Sequence, residues 1–300
     1  MTAPAVETHG LSKTYQGKTR ALIGLDLCVE RGEVFGYLGP NGAGKSTTIR
    51  LLLDLIHPTS GRVSVLGLDS RRQGVEARRR IGYLPGELRL NDRMTADEQL
   101  DSLTRLRGSE SPLRAELCER FSLELDRPIR HLSKGNRQKV GLVQAFMHRP
   151  ELVVLDEPSA GLDPLLQTEV RSLLRETAAD GRTVFLSSHS LDEVQHAADR
   201  VGIIRSGHLI DVDTVDHLRE RALRHVTIVF AGPVDATRFR GLDGVRVDSV
   251  EDSVVRLSAP EPAMDAIVKA AAMHEIVDLV SQPADLEEIF LEMYQEGDAG

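Results

Sequence analysis

Short apolar runs alternate with longer patterns of helical type over most of the chain. The four clearest runs lie at 34–38, 151–155, 183–187 and 200–204. A short continuous apolar run is typical of a strand that is buried on both faces of a parallel sheet. Because helical patterns separate these runs, we expect a mainly parallel α/β sheet.

The segments around these runs predict further elements. Residues 6–35 alternate in short runs broken by turn residues, which indicates strands. A helix should start near Gly44 and end near Pro58, because proline cannot continue a helix. From Thr95 to Met147 the pattern is helical and rich in Leu and Arg.

The pattern changes after about Leu218. Strand patterns at 226–230, 245–250, 254–257 and 276–280 are joined by a short helix and by helical patterns at 262–273 and 285–294. This order predicts a small α+β domain appended to the larger one. We therefore divide the chain into domains 1–220 and 221–300.

The most specific chemistry lies directly after the run at 34–38. Residues 38–47 read Leu-Gly-Pro-Asn-Gly-Ala-Gly-Lys-Ser-Thr and fit the phosphate-binding pattern G-x-x-x-x-G-K-[ST]. In such a turn successive backbone N–H groups form an anion nest, to which the helix start adds its positive dipole end. The expected phosphate-binding residues are Gly39, Pro40, Asn41, Gly42, Ala43, Gly44, Lys45, Ser46 and Thr47.

Within this loop, two side chains have distinct expected roles. Lys45 should reach the β- and γ-phosphates of a nucleoside triphosphate, and the Ser46 hydroxyl should ligate Mg²⁺. The alternative is a Gly-rich turn that merely precedes a helix. The strand pattern before the loop and the helical pattern after it, at 48–53, favour the phosphate site.

A second candidate is the apolar run Leu152–Leu155, which ends in two acids. Asp156 is expected to hold Mg²⁺, directly or through water. Glu157 is expected to orient and deprotonate an attacking water. Polar residues often end a strand. The two acids indicate a functional site only because a phosphate loop lies upstream.

A third peptide, Leu132–Asn136, reads Leu-Ser-Lys-Gly-Asn, and Ser133 suits the N-cap of a helix. The phosphate loop, this peptide and Leu155-Asp156-Glu157-Pro158, in that order, resemble the nucleotide-binding subunit of an ABC transporter. The family's signature peptide reads Leu-Ser-Gly-Gly-Gln. The resemblance covers residues 6 to about 218.

The resemblance implies a fold and further site residues. The fold is the ABC ATPase type of P-loop NTPase, with an N-terminal antiparallel β part and a helical subdomain at about 88–148. Tyr15 matches the aromatic that stacks on adenine, and His189 matches the switch histidine that contacts the γ-phosphate. Residues matching those that contact ATP across a two-subunit interface are Ser133, Gly135, Asn136 and Asp163.

The chain departs from the family pattern at two places. The family usually carries Gln after Ile81–Pro85, where this chain has Gly86 followed by Glu87. Glu87 could replace the missing amide, or the contact could be absent. In the signature peptide Lys134 replaces a glycine, which would add positive charge near the γ-phosphate.

The end of the chain narrows the resemblance. Residues 285–291 resemble the closing helix of ATPases that pair with separately encoded permeases of the ABC-2 export type. The implied function is ATP hydrolysis that drives export of drugs, antibiotics, ions or lipid-linked polymers. The implied assembly is two ATP-binding subunits, expected to be a homodimer, closed head to tail around two ATP molecules with Mg²⁺.

Composition limits the partners. The net charge of −9 argues against a nucleic-acid partner. Two cysteines suggest a reducing compartment, and no apolar run approaches the length of a membrane span. We therefore expect a peripheral protein at the cytoplasmic face of the membrane, bound through the permease.

The alternatives are a soluble ABC ATPase that acts on ribosomes or DNA, and a regulatory module that holds ATP without turnover. The cargo cannot be inferred from this chain.

Overall fold

A computed structural model of the chain describes residues 3–16, 19–221 and 223–282. These residues fall into two compact units, the first extending to Asp213 and the second beginning at Thr214.

The secondary structure of the first part of the chain alternates between strands and helices. The strands are β1 (Val6–Thr14), β2 (Arg20–Val29), β3 (Val34–Leu38), β4 (Ser60–Val65), β5 (Leu68–Asp69), β6 (Ile81–Leu84), β7 (Leu152–Asp156), β8 (Thr183–Ser188), β9 (Arg200–Arg205) and β10 (His208–Thr214). The helices are α1 (Lys45–Leu52), α2 (Gly74–Arg79), α3 (Ala96–Arg107), α4 (Arg114–Arg120), α5 (Lys134–Phe146), α6 (Pro164–Ala179) and α7 (Leu191–Ala197).

The N-terminal strands form an antiparallel sheet in the order β2-β1-β4-β5. In its centre Val6 pairs with Val29 on one side and with Val65 on the other. All three side chains are buried in the main hydrophobic core. The alternation of buried and exposed residues along β2 is that of a sheet with one face toward the core.

The larger sheet has the order β10-β9-β3-β8-β7-β6, and its strands from β6 to β9 run parallel. Every residue of β3, β7 and β8 is buried. Burial on both faces explains why these strands are continuous apolar runs rather than alternating ones. The prediction of a mainly parallel α/β sheet is therefore confirmed.

The helix after the phosphate loop is shorter than predicted. It begins at Lys45 as expected, but it ends at Leu52 rather than near Pro58. Asp54 adopts a left-handed backbone with φ of 54°, and the Leu55 N–H donates back to the Arg50 carbonyl. This turn, rather than the proline, ends the helix.

The helical pattern from Thr95 to Met147 is divided into three α-helices and one 3₁₀ turn at Ile129–His131. Helix α3 begins with a capping box, in which the Thr95 side chain accepts from the Glu98 N–H and the Glu98 carboxylate accepts from the Thr95 N–H. Gly108 ends α3 in a left-handed conformation. The helical pattern therefore corresponds to several helices joined by turns.

The second unit has its own sheet and core. Its elements are α8 (Val215–Arg221), β11 (Arg224–Phe230), α9 (Thr237–Arg240), β12 (Arg246–Glu251), β13 (Val254–Ala259), α10 (Met264–Ala271) and β14 (Ile276–Gln282). The sheet is antiparallel in the order β12-β13-β11-β14. Its buried core includes Val226, Phe239, Leu257 and Ile267.

From β11 to β14 the strands and helices of the second unit match the predicted order, whereas α8, which precedes β11, was not predicted. The helix expected at 262–273 is an α-helix over Met264–Ala271, preceded by a 3₁₀ turn at Glu261–Ala263. The helix predicted at 285–294 lies outside the described residues. Within the residues that the structure describes, no helix is both long enough and apolar enough to cross a bilayer.

Candidate functional site

The loop between β3 and α1 has a backbone that only glycine adopts readily at two positions. Gly42 has φ of 82° and Gly44 has φ of 117°. A Cβ on Gly39 would lie 2.3 Å from the Ile204 carbonyl oxygen, and one on Gly44 would lie 2.7 Å from the Ala21 carbonyl oxygen. The glycine spacing of the motif is therefore required by the local geometry.

Two backbone hydrogen bonds fix this loop at the carboxyl edge of the parallel sheet. The Gly39 N–H donates to the Ser188 carbonyl at 3.2 Å, and the Gly207 N–H donates to the Ala43 carbonyl at 2.9 Å. Ser188 ends β8, and Gly207 lies in the turn between β9 and β10. The loop is thus held beside the ends of the two strands that flank β3.

Lys45 lies at the centre of the site and is 6% exposed. Its ammonium group donates to the carbonyl of Gly39 and, at 3.2 Å, to that of Pro40. It also lies 3.3 Å from Glu157 Oε1. A buried cation held at the mouth of a phosphate loop is suited to contact an anionic ligand there.

Glu157 contacts two other predicted site residues, Lys45 and His189. Its backbone is left-handed, with φ of 54°, and its N–H donates to the Ser187 carbonyl at 3.1 Å. Its Oε2 lies 2.6 Å from His189 Nδ1. The structure therefore brings together the three residues predicted to be catalytic, Lys45, Glu157 and His189.

Asp156 is buried at the end of β7, where its Oδ1 accepts from the Ser187 hydroxyl at 2.5 Å. Its Oδ2 faces Gly86, since a Cβ on Gly86 would lie 3.3 Å from this oxygen. Burial, followed by the charge of Asp156, raises the pKa of Tyr83 nearby. Asp156 and Ser46 offer carboxylate and hydroxyl oxygens, the ligands that Mg²⁺ prefers, so these side chains fit the ion.

Glu87, the residue after Gly86, is exposed. Its side chain is 85% exposed and pairs with Arg89 at 3.4 Å. Gly86 rather than Glu87 is the residue that faces Asp156.

Tyr15 lies near the other end of the loop and is 37% exposed. Its hydroxyl is 3.5 Å from Thr47 Oγ1, and the Lys13 ammonium lies 5.2 Å from its ring centroid. A cation over one face of an aromatic ring is a favourable contact. Tyr15 is thus next to the phosphate loop, as its predicted role in base stacking requires.

The residues predicted to act across an interface form a second group. Ser133 caps α5 by accepting from the Asn136 N–H at 3.2 Å, and Asp163 caps α6 by accepting from the Leu166 N–H at 3.0 Å. Both caps are exposed. The Asn136 amide donates to Glu124 at 3.1 Å.

This second group lies along the peptide that follows Glu157. The Gln138 amide donates to the Pro158 carbonyl at 2.9 Å, and a Cβ on Gly161 would touch the Lys134 side chain at 3.1 Å. Gly135 also lies near Gly161, whose carbonyl oxygen would be 3.8 Å from a Cβ on Gly135. In the described part of the chain, no hydrogen bond or ion pair joins Ser133 or Asp163 to residues 39–47.

Sequence reasoning missed the groups that support these side chains. Ser187 donates to Asp156, and Glu193 accepts from the hydroxyls of Ser159 and Ser188. The only signal was a run of polar residues at the ends of β7 and β8, which is also what ordinary strand ends show.

Comparisons with known proteins agree with this geometry. The family model described as "ABC transporter" matches residues 22–160. A daunorubicin resistance ATP-binding protein of Streptomyces coeruleorubidus is 35% identical over 98% of this chain and 96% of its own length. The chain belongs to the ATP-binding proteins of ABC transporters.

Two further similarities extend this result. A bacitracin transport ATP-binding protein of Bacillus licheniformis is 36% identical over 74% of this chain and 73% of its own length. A solved structure of the ATP-binding cassette MJ0796, a dimer in a post-hydrolysis state bound to ADP and Pi, superposes with a TM-score of 0.64. It is 25% identical and covers 70% of this chain and 98% of that chain.

Membership in the family confirms the predicted fold and reaction class. The chain is an ABC-type ATPase, its nucleotide is ATP, and its larger unit has the P-loop fold of ABC cassettes. It is an ATP-binding subunit of an ABC transporter, and its relatives include proteins named for antibiotic resistance or transport.

Proposed function

We propose that this chain hydrolyses ATP to power export through a separately encoded membrane permease of the ABC-2 type. The observation that carries the proposal is the contact of Glu157 with both Lys45 and His189 beside the phosphate loop. A permease partner is supported by the relatives, which are named for resistance or transport. Binding to it would place the chain at the cytoplasmic face of the membrane.

ATP binding is assigned to the loop from Gly39 to Thr47 and to Tyr15. The backbone N–H groups of the loop would bind the phosphates, as expected for a nest at a helix start. The Lys45 ammonium would exchange its backbone carbonyl partners for the β- and γ-phosphates. Tyr15 would stack on adenine with the ring face that is not covered by Lys13.

The metal site is assigned to Ser46 and Asp156. When bound, Mg²⁺ would neutralise negative charge on the phosphates during transfer of the γ-phosphoryl group to water. Ser187 donates to one oxygen of Asp156 and so fixes the orientation of the carboxylate. The other oxygen stays available toward Gly86.

Hydrolysis is assigned to Glu157, His189 and Lys45. Glu157 would orient the attacking water and accept its proton. His189 holds Glu157 through Nδ1 and would present its other ring nitrogen to the γ-phosphate. Lys45 would stabilise the negative charge that develops on the phosphate oxygens.

The complete site is proposed to need two chains. Each chain carries one phosphate loop and one Leu132–Asn136 peptide, and within one chain these are not joined by any hydrogen bond between described residues. Ser133, Gly135, Asn136 and Asp163 of one chain would complete the site of the other. The dimeric cassette of similar fold supports this arrangement, and we expect a homodimer.

The proposed catalytic role is tested with Glu157→Gln. This variant keeps the size of the side chain but cannot accept a proton, so phosphate release should fall by at least about 100-fold. ATP should still bind, and the ATP-bound variant should accumulate as a dimer in light scattering. The matched control is Glu116→Gln in α4, which should hydrolyse ATP at the original rate.

Turnover by Glu157→Gln at the original rate would remove the base role from Glu157. The partner is tested separately by affinity purification from membranes. Recovery of a membrane permease supports the export function. Recovery of ribosomes instead would favour the alternative, an ABC ATPase that acts on a partner other than a transporter.

A further inference from the structure

Glu193, near the start of α7, contacts two loops of the site at once. Its Oε1 accepts from the Ser159 hydroxyl at 2.5 Å, and its Oε2 accepts from the Ser188 hydroxyl at 2.5 Å. Hydrogen bonds from hydroxyl groups to an ionised carboxylate are stronger than those between neutral groups. Both oxygens of one carboxylate are therefore used to bridge two hydroxyl groups.

The two serines are neighbours of the residues that act on ATP in the proposed function. Ser159 lies two positions after Glu157, and Ser188 directly precedes His189. The Ser188 hydroxyl also accepts from the Ser190 N–H at 3.0 Å. The carboxylate of Glu193 thus ties the loop that carries Glu157 to the loop that carries His189.

The two loops and the Glu193 carboxylate border one cavity of about 360 Å³. Its lining includes Glu157, Gly161, Arg171, His189 and Glu193. Where packing is sparse, specific hydrogen bonds determine the positions of side chains to a greater extent. The distance between Glu157 and His189 should then depend on the bridge through Glu193.

Partial burial makes a negative charge on Glu193 energetically costly. Burial raises the pKa of this carboxyl, and the hydroxyls of Ser159 and Ser188 partly offset that rise. No ion pair to Glu193 occurs among the residues that the structure describes. A half-buried carboxylate without a cationic partner is retained at a cost, which indicates a role beyond solubility.

We propose that Glu193 is a positioning residue for ATP hydrolysis, which holds Glu157 and His189 at their working separation through Ser159 and Ser188. The proposal rests on the catalytic roles proposed above for Glu157 and His189. Glu193 does not touch ATP in this scheme. It should affect the rate of the chemical step much more than the binding of nucleotide.

The test compares Glu193→Ala with Glu193→Gln. The alanine variant removes both bridges, and kcat should fall about 10- to 100-fold, because small misplacements of catalytic groups are costly. The Kd for ATP should change by less than about threefold, since residues 39–47 keep their contacts. The glutamine variant can still bridge the two hydroxyls, so it should recover kcat to within about fivefold of the original.

Asp192→Asn is the matched control, since Asp192 is the adjacent acid on α7, is exposed and contacts Gln195 and His196 instead. Its kcat should equal that of the unaltered chain. Ser159→Ala and Ser188→Ala supply independent variants of the same bridge. Their effects should not add to that of Glu193→Ala, because all three break one connected set of bonds.

The outcomes separate this inference from the proposed function. If Glu157→Gln is inactive but Glu193→Ala keeps its kcat, the positioning role is overturned and the catalytic assignment stands. Equal losses of kcat and of ATP affinity in Glu193→Ala would also overturn it. Should Glu193→Ala fail to fold, the serine variants decide: full activity of the Ser159→Ala, Ser188→Ala double variant refutes the bridge.

Discussion

At the scale of single residues, Gly82 is the described glycine with the least room for a Cβ, because it lies against α5. A Cβ at this position of β6 would lie 1.9 Å from the Ala145 carbonyl oxygen and 2.9 Å from the Pro150 side chain. Backbone atoms cannot move aside as a flexible side chain does. Gly82 therefore sets how closely α5 can pack on β6.

Gly82→Ala should destabilise the first unit by about 1–3 kcal/mol, the usual cost of inserting a methyl group into a packed interior. Denaturant unfolding at a fixed ATP concentration measures the effect. Gly232→Ala is the control, because no atom of the described residues would lie within 4 Å of a Cβ at Gly232. Equal stability of the two variants would contradict this packing argument.

Residues near one another in sequence were the ones whose roles could be predicted. The phosphate loop is a local motif, and Gly42 and Gly44 are required by their own backbone angles. The bridge from Ser159 to Glu193 spans 34 positions, so no local pattern reveals it. The same limit applies to Gly86, whose proximity to Asp156 depends on the pairing of β6 with β7.

At the scale of elements, α5 and β6 are joined by a half-buried histidine. His148, just after α5, lies with Nε2 at 3.2 Å from the Ile81 carbonyl. Burial, and then the charge of Arg107, lowers the pKa of His148 to about 4. Nδ1 is buried and has no hydrogen-bond partner among the described residues, so a proton there would have no acceptor within that part of the chain.

This histidine should make stability depend on pH. Its folded pKa is below the unfolded value of 6.5, so its contribution is complete above pH 6.5 and is lost progressively as the pH falls toward 4. The loss should be about 2 kcal/mol after an allowance for partial solvent screening. His148→Gln keeps a donor for Ile81 and cannot titrate, so urea unfolding between these pH values should show a smaller decline.

The control is His208→Gln, which replaces an exposed histidine. It should keep the full decline in stability. A decline in His148→Gln that matches the unaltered chain would show that His148 does not couple protonation to folding.

Element types were more predictable than their ends. Strands β3, β7 and β8 were evident because burial on both faces makes their central residues an apolar run, with polar residues confined to the ends of β7 and β8. The end of α1 was not, because Leu53-Asp54-Leu55 continues the helical pattern while Asp54 has turned left-handed. A single backbone angle of this kind depends on tertiary contacts.

At the scale of the whole molecule, the described residues include one hydrophobic core in each unit, and these two cores share no residue. One lies beneath the nucleotide site and includes Phe35, Ile49 and Phe185. The other joins the second sheet to α9 and α10 through Phe239 and Ile267. Because each core belongs to its own unit, ATP should stabilise only the first.

Calorimetry with and without Mg-ATP should therefore show one transition that moves. At an ATP concentration of about 100 times Kd the first unit gains about 2.7 kcal/mol, which corresponds to a rise in Tm of about 5–10 °C. The transition of the second unit should stay in place. Lys45→Ala, which removes the buried cation of the phosphate loop, is the control and should abolish the shift. Movement of both transitions together would show that the two cores unfold as one.

The helix cap at Ser133 restricts which residues can replace this serine. The Ser133 hydroxyl oxygen is engaged by the Asn136 N–H, which leaves its proton free for an outside acceptor. Thr, Asp and Asn also cap helices well, but of these only Thr retains a hydroxyl proton. Selection for folding alone would admit four residue types at this position, whereas selection for the proposed two-chain site admits two. The substitutions found among variants that still fold but no longer hydrolyse ATP would reveal that difference directly.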